Sequence, residues 1–314
     1  MIRKAIILSI IVLLFLSKSS FAFWVWTSDS GKWENPKYKA KDTPKEQLEY
    51  SISFYKEKNY KVALREVKKL IKYYPLSKEA PTAQYYIGRI MEDMGNPYEG
   101  FKAYQKVIDL YPHTEFVDEV IERQFNIGDG FFKGEKYQVL GPLKVPAKDK
   151  AIEIFKTVSE SAPYGKYADI SIFNAGLAYK DIADYKNAIL MFKELLDRYP
   201  DSKYLDDARY RLAESSKLLS LDPDYDQTPT IVAREEFEDF IKKHPESDLS
   251  NEAKEIVDKL KGKEAESMFN TGMFYESRHM QDSAVIYYSD IVKSYPGTEW
   301  AKKANERLNE INKK

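Results

Sequence analysis

Three histidines, His113, His244 and His279, are the side chains here best suited to acid–base or metal chemistry, and their spacing serves neither. His113 and His244 stand beside prolines that would end a helix, where an imidazole can bond the last carbonyls. The 50 carboxylates scatter among 49 basic residues at the i, i+4 separations of solvated helix faces. No glycine loop of the phosphate-cradling kind occurs. There is no cysteine, so these residues hold no disulfide, thiolate ligand, thiol nucleophile or lipid-modified thiol. These observations predict a chain that is not an enzyme and carries no cofactor or metal. A net charge of −1 argues against nucleic acid, which wants a clustered basic excess. A more suggestive constellation is a recurring, mostly aromatic row: Leu48, Tyr85, Phe125, Phe173, Tyr210 and Phe269. Such a row could accept an extended peptide or a partner's helix, or it could pack between helices.

What must position that row is a repeat. In Ala188, Phe192 and Pro200, a small residue, a bulky one four later and a proline twelve later describe one helix and its stop. The same ruler fits Ala63/Val67/Pro75, Gly100/Tyr104/Pro112, Ala151/Phe155/Pro163, Ala233/Phe237/Pro245 and Ala284/Tyr288/Pro296. Twelve residues before several of these lies another small residue on a preceding helix: Ser51, Gly88, Gly176 and Gly272. Leu48, Tyr85, Phe173 and Phe269 stand three residues ahead of these, and Phe125 and Tyr210 three ahead of Gly128 and Ala213 in the lengthened units. The order Gly176, Tyr179, Ala188, Phe192, Pro200 resembles the tetratricopeptide repeat, a helix–turn–helix unit. The resemblance implies an all-α, right-handed superhelical solenoid of about six repeats, over 43–77, 78–114, 115–165, 166–202, 203–247 and 248–298. It also implies that the first helix of each unit lines a concave surface, so the row is either a track along that surface or core.

The ends and the irregular units add three expectations. Arg3 and Lys4, the apolar run Ala5 to Leu16 and Ser20-Phe21-Ala22 read as a signal peptide, residues 1–22, cleaved after Ala22. The apolar run is too short to span a bilayer. Loss of Arg3, Lys4 and Lys18 would carry the net charge from −1 to −4. Residues 23–42 read as a linker or cap over the first repeat; alternatively Trp24 and Trp26 contact a membrane or partner. The third unit is lengthened by a loop from Gly134 to Pro146, whose Val139, Leu140 and Leu143 offer a second contact surface. An acidic, proline-containing spacer lengthens the fifth unit, and helical sequence from Glu252 to Lys263 the sixth. Residues 299–314 read as the capping helix that a solenoid requires.

Repeat stops of the form Tyr-Pro-x-Ser/Thr narrow the field: Tyr74-Pro-Leu-Ser77, Tyr111-Pro-His-Thr114, Tyr199-Pro-Asp-Ser202 and Tyr295-Pro-Gly-Thr298. With the closing unit Phe274 to Thr298, they resemble the BamD family of outer-membrane β-barrel assembly factors. The resemblance implies a periplasmic scaffold at the inner face of the outer membrane, with a BamA-like subunit and unfolded β-barrel precursors as partners. It associates precursor recognition with 43–114 and docking to the BamA-like subunit with roughly 247–314. Two departures stand out. The family is held by a lipidated cysteine, so attachment here would be peripheral, through a partner or the tryptophan segment. The family also carries five repeats rather than six. The alternative is a soluble periplasmic scaffold coordinating cell-envelope or Tol–Pal-type processes.

Overall fold

The structure, a computed structural model, describes residues 24–27, 31–34, 39–140, 143–220, 222–247 and 249–312; the expected signal peptide lies outside them. Among the described residues the side chains at 25, 27, 32, 34, 137–140, 143 and 144 are also outside the description. The fold is all-α with two short hairpins, and it divides into two compact units, up to Ile90 and from Met91.

The first unit opens with an antiparallel hairpin, β1 (Val25–Thr27) and β2 (Lys32–Glu34), where sequence predicts a cap and linker. Trp26 stands directly opposite Trp33 in its register. Helix α1 (Pro44–Lys56) begins where expected: the Thr43 hydroxyl accepts from the Glu46 N–H at 3.2 Å, and proline takes the first helical position. Helix α2 (Tyr60–Tyr73) buries Ala63, Val67 and Leu70, the stripe set by the repeat ruler. Tyr74 ends it, and its hydroxyl donates to the Lys41 carbonyl at 2.6 Å, fastening the preceding segment to the helix end. Most of α3 (Ala80–Asp93) also belongs to this unit.

From Met91 the chain continues through helix pairs. These use α4 (Pro97–Leu110), α5 (Val117–Phe132), α6 (Lys148–Ser161), α7 (Ala168–Asp181), α8 (Tyr185–Arg198), α9 (Leu205–Leu219) and α10 (Thr228–Lys243). They end in α11 (Leu249–Ser277), α12 (Gln281–Ser294) and α13 (Glu299–Ile311). The pairing rule is visible atom by atom. A Cβ added to Gly176 would lie 2.6 Å from Cε1 of Phe192, and one on Gly272 would lie 2.6 Å from Cε1 of Tyr288. Glycine on one helix is thus the seat for the ring of the next, and Ala188, Phe192, Ala284 and Tyr288 are fully buried. The turns recur as well. Asp184 N–H donates to the Tyr179 carbonyl and Met280 N–H to the Tyr275 carbonyl, the six-residue closure of a Schellman motif. The residue before each, Ala183 and His279, takes the left-handed conformation at φ 60° and 61°.

One irregular unit differs from expectation and another matches it. The Gly134–Pro146 insertion is a second hairpin rather than a loop, β3 (Lys136–Leu140) paired with β4 (Leu143–Pro146), its register shifted between Gln138 and Leu140. Alternating β-formers bracketed by Gly141-Pro142 account for it. The extra length of the sixth unit makes α11 a continuous helix of 29 residues, about 43 Å long. Its first half packs Ala253, Ile256, Val257 and Leu260 on Phe237 and Phe240 of α10. Its second half packs Ala265, Met268 and Phe269 on α12 and α13. One helix therefore belongs to two successive cores.

Candidate functional site

The aromatic row does not form an open track. Tyr85, Phe125 and Tyr210 are buried, and Leu48, Phe173 and Phe269 are half-buried. Phe125 lies between Phe155, with centroids 5.7 Å apart, and Tyr167, stacked at 4.7 Å. Phe173 sits between Phe192 at 5.9 Å and Tyr204, stacked at 5.2 Å, and Phe269 between Tyr288 at 5.4 Å and Trp300 at 5.2 Å. Tyr210 meets Phe237 and Phe240 of α10 at 5.7 and 5.5 Å. Tyr85 meets Tyr86 at 5.6 Å and accepts from Arg89 at 2.8 Å. The reason is helical geometry. A residue three before the small position shares its face, and that face packs on the partner helix. The row is core.

A second repeated set escaped the sequence reading. Four residues beyond Gly88 and Gly272 stand Glu92 and Glu276. Glu276 accepts from the Tyr288 hydroxyl at 3.0 Å and from both Nε and Nη2 of Arg307 on the next helix. Glu92 likewise accepts from Tyr104 and from Arg123 Nη1 at 3.3 Å. Each arginine follows its glutamate by 31 residues, and that spacing was the available signal. Between α7 and α9 the charges exchange: Lys180 donates to Glu214 at 2.6 Å, and Arg211 joins at 2.9 Å. Burial alone would raise the Glu214 pKa, but the hydrogen bonds from Lys180 and Arg211 outweigh it and hold the carboxyl below its ordinary range. Burial, then the bond to Glu276, pushes the Tyr288 phenol up to about 12. Glu264, 3% exposed, accepts from Arg234 at 2.9 Å and from the Tyr295 hydroxyl at 2.7 Å, joining α10, α11 and the stop of α12. These groups hold helices in register.

His244 follows the same logic. His244 reaches the Asp206 carboxylate at 2.9 Å and packs on Phe240, rather than bonding the end of its own helix. Among the described residues, no three histidine, aspartate or glutamate side chains are grouped to hold a metal ion.

What remains for binding is exposed and apolar. Trp24, Trp26 and Trp33 of the first hairpin stand in solvent. On the second hairpin the backbone of Val139, Leu140 and Leu143 is placed in β3 and β4, while their side chains lie outside those described. At the α11–α12 turn, Met273, Phe274 and Met280 are 44%, 55% and 50% exposed, with Arg278 over the Phe274 ring. Methionine beside an aromatic ring is a composition that protein interfaces favour.

Comparison with known proteins decides the family. The outer membrane lipoprotein family YfiO matches residues 140–314, more than half of the chain. The chain belongs to this family. A tetratricopeptide repeat is matched separately at residues 82–114, across α3 and α4. A protein of Aquifex aeolicus strain VF5, named as the outer membrane protein assembly factor BamD, is 30% identical over 119 residues. That match covers 38% of this chain and 39% of the relative's length. Among solved structures, the C-terminal part of a tetratricopeptide repeat-containing protein from Cytophaga hutchinsonii shares 16% identity at a TM-score of 0.34. It covers 84% of this chain and 88% of that one. A tetratricopeptide repeat protein from Parabacteroides merdae shares 15% at 0.32, covering 85% and 98%. The YfiO match takes in α6 to α13, and with them the Met273–Phe274–Met280 surface, but ends short of the tryptophan hairpin.

Proposed function

We propose that this chain is a periplasmic protein-binding scaffold that takes part in assembling and inserting β-barrel proteins into the outer membrane. The observation that carries the reading is the YfiO match over residues 140–314, which contains an exposed methionine and phenylalanine surface at the α11–α12 turn. A rigid α11 supports that surface, held at one end by Phe237 and Phe240 and at the other by Tyr288 and Trp300. Bound partners would be a BamA-like barrel subunit at this end and unfolded barrel precursors elsewhere on the repeats. The BamD name of the Aquifex relative supports the same assignment.

Affinity isolation of the full chain from detergent-solubilised envelope tests the reading. The expected result is co-isolation of a β-barrel outer-membrane subunit, lost when Met273, Phe274 and Met280 are replaced by serine. Recovery of only inner-membrane or peptidoglycan-associated proteins would reject assembly in favour of another envelope role.

A further inference from the structure

The hairpin before α1 gathers two tryptophans on one face, with a third at its start. Trp26 lies in β1, and Trp24 immediately precedes that strand. Trp33 is the direct cross-strand partner of Trp26, and the two indoles meet edge to face at 5.9 Å. All three remain exposed, at 56%, 54% and 63%. A folded chain ordinarily hides rings of this size, so three together at one small sheet mark a surface that is covered in use.

Several observations say what covers it. Indole combines a large apolar body with one N–H donor and is enriched where a bilayer meets water. The sequence from Lys32 to Lys45 holds five lysines against Glu34 and Asp42, a basic excess suited to anionic headgroups. The family is one of outer-membrane lipoproteins, yet none of the 314 residues is a cysteine that could carry acyl chains. No helix among the described residues is long and apolar enough to cross a membrane. A single apolar signal gives only marginal membrane binding, and an apolar face joined to a basic stretch supplies the two signals that lasting attachment takes. The segment after the hairpin is itself fastened: Tyr74 holds the Lys41 carbonyl, and the Gln47 side chain accepts from the Lys41 N–H at 2.8 Å.

We infer that the Trp24–Trp26–Trp33 surface is an interfacial anchor that seats this chain on a phospholipid surface bearing anionic headgroups. The inference rests on the scaffold reading above only for which membrane is met. The test is flotation of the purified full chain with vesicles of phosphatidylethanolamine and phosphatidylglycerol. Co-flotation is expected, with affinity falling on the order of 10-fold or more in the Trp24→Ala/Trp26→Ala/Trp33→Ala variant while its melting midpoint stays put. Brominated lipid should quench hairpin indole emission, whereas Trp300, packed on Phe269, should be untouched. Wild-type chain that ignores the vesicles, or a triple variant that binds them equally, overturns the inference. If vesicles are ignored and the variant instead loses a co-isolated envelope protein, the face is a protein dock and the membrane anchor is refuted. Failure of the scaffold reading shows separately, as absence of a barrel subunit from the isolate whatever the vesicles do.

Discussion

Gly176→Ala and Gly262→Ala are the same chemical change made in two helix interiors, and the structure gives them opposite signs. Alanine is favoured over glycine inside a helix by about 0.8–1.0 kcal/mol. At Gly262 of α11 nothing lies within 4 Å of the added methyl, so most of that gain should appear as stability. At Gly176 the methyl would sit 2.6, 2.9 and 2.9 Å from three carbons of the Phe192 ring. Phe192 is fully buried, so its ring has nowhere to swing and α7 and α8 must part. Overpacking of this kind costs about 1–3 kcal/mol, leaving a net loss of up to about 2 once the helix gain is deducted. The helix gain is common to both, so the two variants should differ by about 1–3 kcal/mol. Urea unfolding followed by helical circular dichroism measures this, with midpoints compared because a repeat array need not unfold in one step. A Gly176→Ala variant as stable as Gly262→Ala would refute the claim that the glycine–ring contact sets the spacing of each helix pair.

Two further outcomes follow from the same packing. Phe125→Ala should cost about 3–5 kcal/mol, the scale of removing a buried ring, and a shift of only a few tenths in the urea midpoint would return the aromatic row to an open groove. The Glu214 carboxyl is held below its ordinary value of 4.5 in the fold, so it contributes stability that is present above that pH and lost as pH falls through the lowered folded value. Lys180→Met should therefore flatten the acid limb of stability against pH; an unchanged limb would remove the Lys180–Glu214 bond from the account.

Much of the fold was written in the spacing. Gly176, Ala188, Phe192 and Pro200 predict two helices, the contact between them and the stop, because a helix admits only a few ways to bring a ring onto a glycine. For the aromatic row, recurrence alone left track and core open, because it says nothing of facing. Phe173 lies three residues before Gly176, and that offset alone places it on the packed side. The glutamate–arginine links were legible only as a 31-residue correlation between Glu276 and Arg307, which no local pattern reveals. The two hairpins were read as linker and loop because strands of three to five residues are too short to display a period. The left-handed turn at Ala183 was also invisible, since neither glycine nor asparagine marks it.

The central claim, a scaffold that meets a barrel protein at the outer membrane, is tested most directly by cross-linking in the living cell. A photo-reactive phenylalanine analogue in place of Phe274, on the exposed α11–α12 turn, would report whatever touches that surface. The account predicts an adduct with an outer-membrane β-barrel subunit, absent when the analogue instead replaces the buried Phe237. Adducts only with inner-membrane or soluble periplasmic proteins would contradict it.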